Sequence, residues 1–267
     1  MIKQVVRQAL HHHLTGESAK TAYYSFLSLF PLLLVAFALT GILGGHAVFD
    51  VLAGRLKQAA PPAAARYVER YIREITDSRR PDILSVGILL GLWTGSNIFV
   101  ALSEGLNRIY GVPKGRRWWK RRLIAVGTLV AGLVLLVGGA LILLAGGKFR
   151  TASGLGGVWG LLRYPLAYAM LALLLSLIYY TLPNRDQSRS GRAIALGAVV
   201  GTAVWFVATI GFRLYISHFR NYGRTYGFVG AAIVLLLWLF LTAYAILLGG
   251  EVAAVAEARG SASGRRT

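Results

Sequence analysis

Cysteine is absent from this chain, and acidic residues are scarce. The missing thiols exclude disulfides, cysteine-ligated zinc, iron–sulfur clusters and thiol nucleophiles. Only 10 Asp and Glu accompany 29 Lys and Arg, and these acids are scattered without an HxxEH or HExxH pattern. Phosphodiester hydrolysis normally needs clustered carboxylates or histidines for metal binding or acid–base work. The sequence therefore predicts neither a catalytic residue nor a metal ligand.

Nucleotide-binding motifs are missing as well. Gly146-Gly147-Lys148 is followed by Phe149 rather than by the Ser or Thr that would contact magnesium in a P-loop. The glycines at 154–160 lack Rossmann spacing and follow no strand, so we interpret this stretch as a flexible outer loop. No cofactor is expected, and any transport would be ion-coupled, passive or driven by a partner.

Apolar sequence is what the chain has in abundance. Its 267 residues are 56% hydrophobic and 15% charged, which is too apolar for an ordinary soluble domain. Crossing a membrane takes roughly 20 apolar residues in a helix, and six stretches reach this length. They are Tyr23–Gly44, Ile83–Ile109, Leu123–Gly147, Tyr164–Leu182, Ala193–Ile216 and Phe228–Gly250. The sequence thus predicts an all-α polytopic membrane protein with six transmembrane helices, its membrane domain covering residues 21–251.

Basic residues in the short loops predict the orientation of the bundle. The loop Gly111–Arg122 carries six Lys and Arg, no acid and two tryptophans. We attribute the net charge of +19 to such cytoplasmic loops near anionic headgroups, and no nucleic acid is expected as a partner. Both termini are therefore predicted to be cytoplasmic, with residues 252–267 as a basic tail.

Two further regions have amphipathic patterns. In residues 1–20, apolar side chains recur on one face of a helix that should lie in the membrane interface. The three adjacent histidines at 11–13 point about 100° apart on a helix, so we interpret them as interfacial residues rather than metal ligands. The longest outer loop, 46–81, has two stretches of helical periodicity separated by Pro61 and Pro62. It is predicted to form two amphipathic helices.

Polar residues inside the predicted spans are the candidates for function, because ionisable groups at membrane depth are costly and usually face a bundle interior or a watery cavity. Glu104 and Arg108, at i and i+4, are predicted to form an ion pair. Asn97, near mid-span, needs partners from another helix or from water. The candidates for a substrate or proton pathway are Ser28, Asn97, Glu104, Asn107, Arg108, Arg213 and Glu251.

Small residues predict close helix packing. Gly87, Gly91 and Gly95 repeat at intervals of four on the second span, and Ala193, Gly197 and Gly201 do so on the fifth. Such ridges allow neighbouring backbones to approach closely in lipid. Packing within one chain is the favoured interpretation, with a dimer interface as the alternative.

Five short signatures follow one another along the chain. They are YYSFLSLFP at 23–31, LNRIY at 106–110, LPN at 182–184, GA at 197–198 with Trp205, and a segment from YG at 226–227 to GGE at 249–251. Their order resembles the YihY/BrkB family, which includes virulence factor BrkB and was formerly labelled ribonuclease BN. The resemblance implies a six-helix protein of the bacterial inner membrane with an envelope- or lipid-related transport role.

Three classes of function remain after these observations. The first is a protein of transport-like character that moves a lipid or another anionic or amphipathic envelope substrate through a polar bundle interior. The second is a ribonuclease, which the absence of catalytic clustering disfavours. The third is a structural or scaffolding membrane protein whose polar residues only join helices. Membrane lipids are the expected partners, and a homo-oligomer or envelope proteins would be compatible with the same features.

Overall fold

The computed structural model describes residues 1–42, 81–113, 115–152, 156–185, 190–218 and 222–263. Regular structure in these ranges is entirely helical, as predicted. Seven helices occur there: α1 (Ile2–His11), α2 (Leu14–Ile42), α3 (Pro81–Ile109), α4 (Trp118–Ala152), α5 (Gly156–Thr181), α6 (Gly191–His218) and α7 (Tyr222–Ser263).

The helices α2 to α7 overlap the six apolar stretches, and each helix is longer than the stretch that it overlaps. Helix α5 already begins at Gly156, so the predicted outer loop at 154–160 is wrong for residues 156–160. Helix α7 continues to Ser263, and Glu251 therefore lies inside a helix rather than at its end. The predicted amphipathic helices of the 46–81 loop lie outside the described residues, apart from Pro81, which begins α3.

Membrane-spanning stretches can be recognised from length and composition within the described residues. Three helices contain one, at Tyr164–Thr181 in α5, Gly191–Ile216 in α6 and Gly230–Ser261 in α7. Large apolar side chains are exposed along them, including Leu173, Val207 and Ile233. Exposed apolar surface of this extent is expected where a helix faces lipid instead of water.

The chain divides into two compact units. The first unit contains residues 1–26 and 96–267, and the second contains residues 27–95. In the second unit, the hydroxyl of Ser28 donates to the backbone carbonyl of Thr94 at 2.7 Å and so connects α2 with α3. Ser28 is buried, as a polar side chain is expected to be when it satisfies a hydrogen bond inside a bundle.

The core of the first unit lies near the short connections between α3 and α4 and between α5 and α6. We call this the basic end, because Arg116, Lys120, Arg121, Arg122 and Arg185 lie there. Leucines of α3 and α7 meet an isoleucine and a tyrosine of α5. The fully or nearly fully buried members are Leu102, Leu106, Leu175, Ile178, Tyr179, Leu182 and Leu247.

Glycines bring α6 and α7 into backbone contact near the basic end. A Cβ atom added to Gly197 would lie 2.5 Å from the carbonyl oxygen of Gly249 and 2.6 Å from the Cβ of Ala253. A Cβ on Gly201 would lie 2.9 Å from the hydroxyl of Tyr179. The predicted small-residue ridge on the fifth span is thus confirmed as a packing surface within one chain. No larger residue fits this approach.

Helix α1 packs against α7 with one narrow stripe. Val5 and Ala9 are buried, and Val5 packs in a cluster with Val252 and Val255. The neighbouring apolar residues of α1, Ile2, Val6 and Leu10, are exposed. The amphipathic pattern of α1 therefore serves two surfaces, one facing α7 and one available to the membrane interface.

Candidate functional site at the basic end

The connection after α5 is held by side chains of α3. The hydroxyl of Ser103 donates to the carbonyl of Leu182 at 3.0 Å. The side-chain oxygen of Asn107 accepts from the backbone N–H of Asn184 at 2.7 Å. Asn107, a predicted site residue, thus positions a turn of the backbone, and its side-chain oxygen is used for that purpose.

Arg116 caps the end of α5. Its guanidinium donates to the carbonyls of Thr181, Leu182 and Pro183 at 2.8 to 3.1 Å. The last carbonyls of a helix have no intrahelical partner and carry partial negative charge, so a cation there is favourable. The basic loop between α3 and α4 is consequently attached to the end of α5.

A network of charged residues joins α2, α3 and α4. Glu104 accepts from Lys20 at 3.1 Å and from Arg121 at 2.7 Å. Arg108 pairs instead with Glu17 at 3.2 Å. The predicted ion pair between Glu104 and Arg108 is therefore wrong, because each side chain finds a partner of opposite charge on another helix.

Lys20 lies between two carboxylates in this network. Its ammonium is 2.5 Å from Glu17 as well as 3.1 Å from Glu104. Partial burial favours loss of the proton, but the hydrogen bonds and charges of the two carboxylates outweigh it and raise the pKa of Lys20. The lysine therefore stays charged and links α2 to α3.

Asn97 lies deeper in the first unit and has a partner from α4. Its side-chain oxygen accepts from the guanidinium of Arg122 at 2.7 Å, and the hydroxyl of Ser96 accepts from the same nitrogen at 2.6 Å. The expectation that Asn97 bonds to another helix is confirmed. A guanidinium thereby reaches into the bundle from the start of α4.

Glu251 is completely buried. One carboxylate oxygen is 3.0 Å from Nδ1 of His12, which lies between α1 and α2. The other oxygen, Oε1, accepts no hydrogen bond from any residue in the described part of the chain. His12 is thus a hydrogen-bonding partner of Glu251, which the interfacial interpretation of the three histidines did not anticipate.

A partly buried ion pair joins the connection after α5 to α7. Arg185 forms an ion pair with Glu257 of α7, and its guanidinium stacks on the ring of Tyr110 at 3.8 Å from the ring centre. Burial raises the pKa of Tyr110 to about 12 despite the opposing charge of Arg185. Tyr110 is therefore a neutral phenol at physiological pH.

The remaining predicted site residues lie elsewhere. Arg213 is exposed near the opposite end of α6, where it lines a groove between α6 and α7, and Ser28 belongs to the second unit. The basic end brings together Glu104, Asn107, Arg108 and Glu251 with residues that sequence reasoning missed. The missed residues are His12, Glu17, Lys20, Arg116, Arg121, Arg185 and Glu257. Opposite charges close to the ends of different spans are the signal that could have identified them.

Comparison with known proteins identifies the family of the chain. The profile of the family described as virulence factor BrkB matches residues 5–267. The chain belongs to the BrkB family. The ribonuclease-like protein YfkH of Bacillus subtilis is 34% identical over 266 residues, covering 97% of this chain and 95% of the relative. A UPF0761 membrane protein of Tolumonas auensis is 30% identical over 255 residues, which cover 93% of this chain and 82% of the relative. No solved structure matches the chain.

Parts of four of the five stretches that carry the BrkB resemblance meet at the basic end. Asn107 of LNRIY contacts Asn184 of LPN. Gly197 of the GA pair approaches Gly249 of GGE, while Glu251 of the same triplet binds His12. Segments far apart in this BrkB-family sequence therefore build one closed, charged and tightly packed structure. We take this basic end as the candidate functional site.

Proposed function

We propose that this BrkB-family membrane protein moves an anionic or amphipathic molecule, of which lipids are the leading class, across the bacterial inner membrane. The buried pair of Glu251 with His12 is the observation that carries the proposal. A carboxylate without solvent contact inside a candidate membrane-spanning helix is costly even when it is paired. Such a cost is expected where a charge takes part in opening, closing or ion coupling of a pathway.

Ion pairs close the basic end in this proposal. The bonds from Glu251 to His12 and from Glu104 to Lys20 and Arg121 involve four helices and the connection between α1 and α2. Each bond is polar and can be exchanged for bonds to water, whereas the leucine core cannot be separated without loss of apolar burial. Opening therefore requires rupture of these pairs.

Flux through reconstituted protein tests this function. Weakening a charge-assisted bond of roughly 1.5 kcal/mol shifts the balance toward the open state about tenfold. We therefore expect Glu251→Gln to raise the basal flux of labelled phospholipid or small anions in liposomes about tenfold. Arg192→Gln, at an exposed site on α6, is the matched control and should leave flux unchanged.

The same assay separates transport from a scaffolding role. A scaffold would give the flux of empty liposomes for the unaltered protein and for both variants. Glu104→Gln serves as a second variant if Glu251→Gln fails to fold, as judged by gel filtration.

Ribonuclease activity, which the name of YfkH suggests for that protein, is not proposed. In the part of the chain that the structure describes, no three His, Asp or Glu side chains cluster as a metal site would require.

We also propose that the basic end faces the cytoplasm, as positive charge in short loops favours. Because the chain has no cysteine, single-cysteine variants report exposure without background. In spheroplasts, Gly115→Cys at the basic end should react with a membrane-impermeant maleimide only after permeabilisation. Leu161→Cys, exposed near the start of α5, should react before it. The reverse pattern would contradict this orientation.

A further inference from the structure

A groove lies between α6 and α7 on the side of the first unit away from the basic end. Its volume is about 490 Å³. Residues spaced by three and four along each helix line it, so each helix contributes one face. The lining residues are Thr209, Phe212, Arg213, Ile216, Ala231, Val234, Leu235 and Trp238.

Arg213 is the single charged residue among these lining side chains. It forms no ion pair or hydrogen bond with any residue in the described ranges of the chain. It lies five positions before His218, the last residue of α6, and hence about 7.5 Å from that helix end. At this depth a guanidinium reaches the headgroup region, where lipid phosphates lie.

Contacts between α6 and α7 support the apolar wall of the groove. The ring of Trp238 contacts that of Trp205 edge-on, with 6.4 Å between ring centres. The indole N–H of Trp205 donates to the hydroxyl of Thr242 at 3.1 Å. This bond and the ring contact connect α6 with α7 below the groove. A long apolar chain could lie against Phe212, Val234 and Leu235 above it.

We propose that this groove binds one anionic glycerophospholipid, with its phosphate on Arg213 and an acyl chain along the apolar wall. The cationic Arg213 favours a lipid of net negative charge over a zwitterionic lipid, and the apolar lining favours a lipid over free inorganic phosphate. The surrounding surface of α6 is lipid-facing, because Val207, Ile210 and Leu214 are exposed apolar residues inside a candidate span. The lipid site goes beyond the proposed function, since binding at this groove does not require transport.

Site-directed fluorescence in lipid nanodiscs tests the lipid site. Ala231→Cys places a bimane label in the groove, and Val207→Cys places one on the exposed face of α6 as the matched position. Brominated phosphatidylglycerol or brominated phosphatidylcholine, each at the same low fraction in unbrominated phosphatidylcholine, quenches the label by contact. We expect phosphatidylglycerol to be enriched about fivefold at residue 231, the factor that one basic residue gives an anionic lipid. Both lipids should quench equally at residue 207.

Arg213 variants decide whether the guanidinium is responsible. Arg213→Gln should remove the preference at residue 231, whereas Arg213→Lys and the control Arg192→Gln should retain it. Excess inorganic phosphate should not compete. Equal quenching by both lipids, a preference that survives Arg213→Gln, or loss of quenching because a second copy of the chain covers the groove would each overturn the lipid site. Unchanged quenching at residue 207 shows that a variant is folded.

The outcomes also separate this site from the proposed transport function. Enrichment at residue 231 in a protein that shows no flux would support the lipid site and contradict transport. Flux without enrichment at residue 231 would support transport by another route and overturn the lipid site.

Discussion

Gly197→Ala should destabilise the protein by about 3 kcal/mol, the upper part of the usual range for an overpacked core. The added methyl would lie 2.5 Å from the carbonyl oxygen of Gly249 and 2.6 Å from the Cβ of Ala253. These atoms are the backbone of α7 and an atom fixed to it, so no flexible side chain can move aside. Helix α7 would have to shift away from α6. The midpoint of thermal unfolding in detergent measures the effect.

Gly211→Ala on the same helix is the matched control. A Cβ atom at residue 211 would have no neighbour within 4 Å. Alanine is favoured over glycine in a helix interior by about 1 kcal/mol, so this variant should be as stable as the unaltered protein or slightly more stable. Equal unfolding midpoints for the two alanine variants would contradict the close backbone approach between α6 and α7.

His12→Ala should produce the second large loss of stability. It leaves Glu251 completely buried with neither oxygen bonded to a described residue. An unsatisfied buried acceptor costs about 1–3 kcal/mol, and more if it is charged. The loss should appear in the same unfolding assay, together with release of α1 detected as faster proteolysis before Leu14.

A double-mutant cycle separates the pair from the packing of α1. Replacing the carboxylate by an apolar group of similar size can restore stability when the partner is already gone. Adding Glu251→Leu to His12→Ala should therefore recover part of the lost stability. His11→Ala, at an exposed neighbour, is the control and should have little effect. Additive losses in the double variant would mean that the two side chains do not interact.

The sequence predicted the helices well, because apolar length is a property of one segment at a time. The six predicted stretches overlap α2 to α7, and three of these helices contain a candidate membrane span within the described residues. The ends were less accurate, since hydrophobicity marks where lipid ends and not where a helix ends. Helix α7 continues from the apolar stretch through Glu251 to Ser263, and its last part packs against α1 through Val252 and Val255.

The charged contacts could not be predicted from spacing alone. Glu104 and Arg108 have the spacing of an ion pair on one helix, yet Glu104 binds Lys20, which is 84 positions away. Its second partner, Arg121, is 17 positions away on α4. The arrangement of neighbouring helices determines that Glu104 pairs with Lys20 and Arg121 instead of Arg108. That arrangement depends on packing in three dimensions, which residue spacing does not show. The need of Asn97 for a partner was predictable, because a polar side chain near mid-span requires one from another helix or from water, and Arg122 of α4 is that partner.

The contact between His12 and Glu251 also determines when α1 can dock during synthesis of the chain. The two residues are 239 positions apart, and a ribosome adding 5–20 residues per second needs roughly 12–48 seconds to cover this distance. During that interval Val5 and Ala9 cannot be buried, because α7 has not yet been synthesised. We expect α1 to bind the membrane surface in the meantime through its exposed apolar residues, Ile2, Val6 and Leu10. The basic end is consequently completed last in biosynthesis. A chain arrested before α7 would present an undocked amphipathic helix, a feature that membrane quality control could detect.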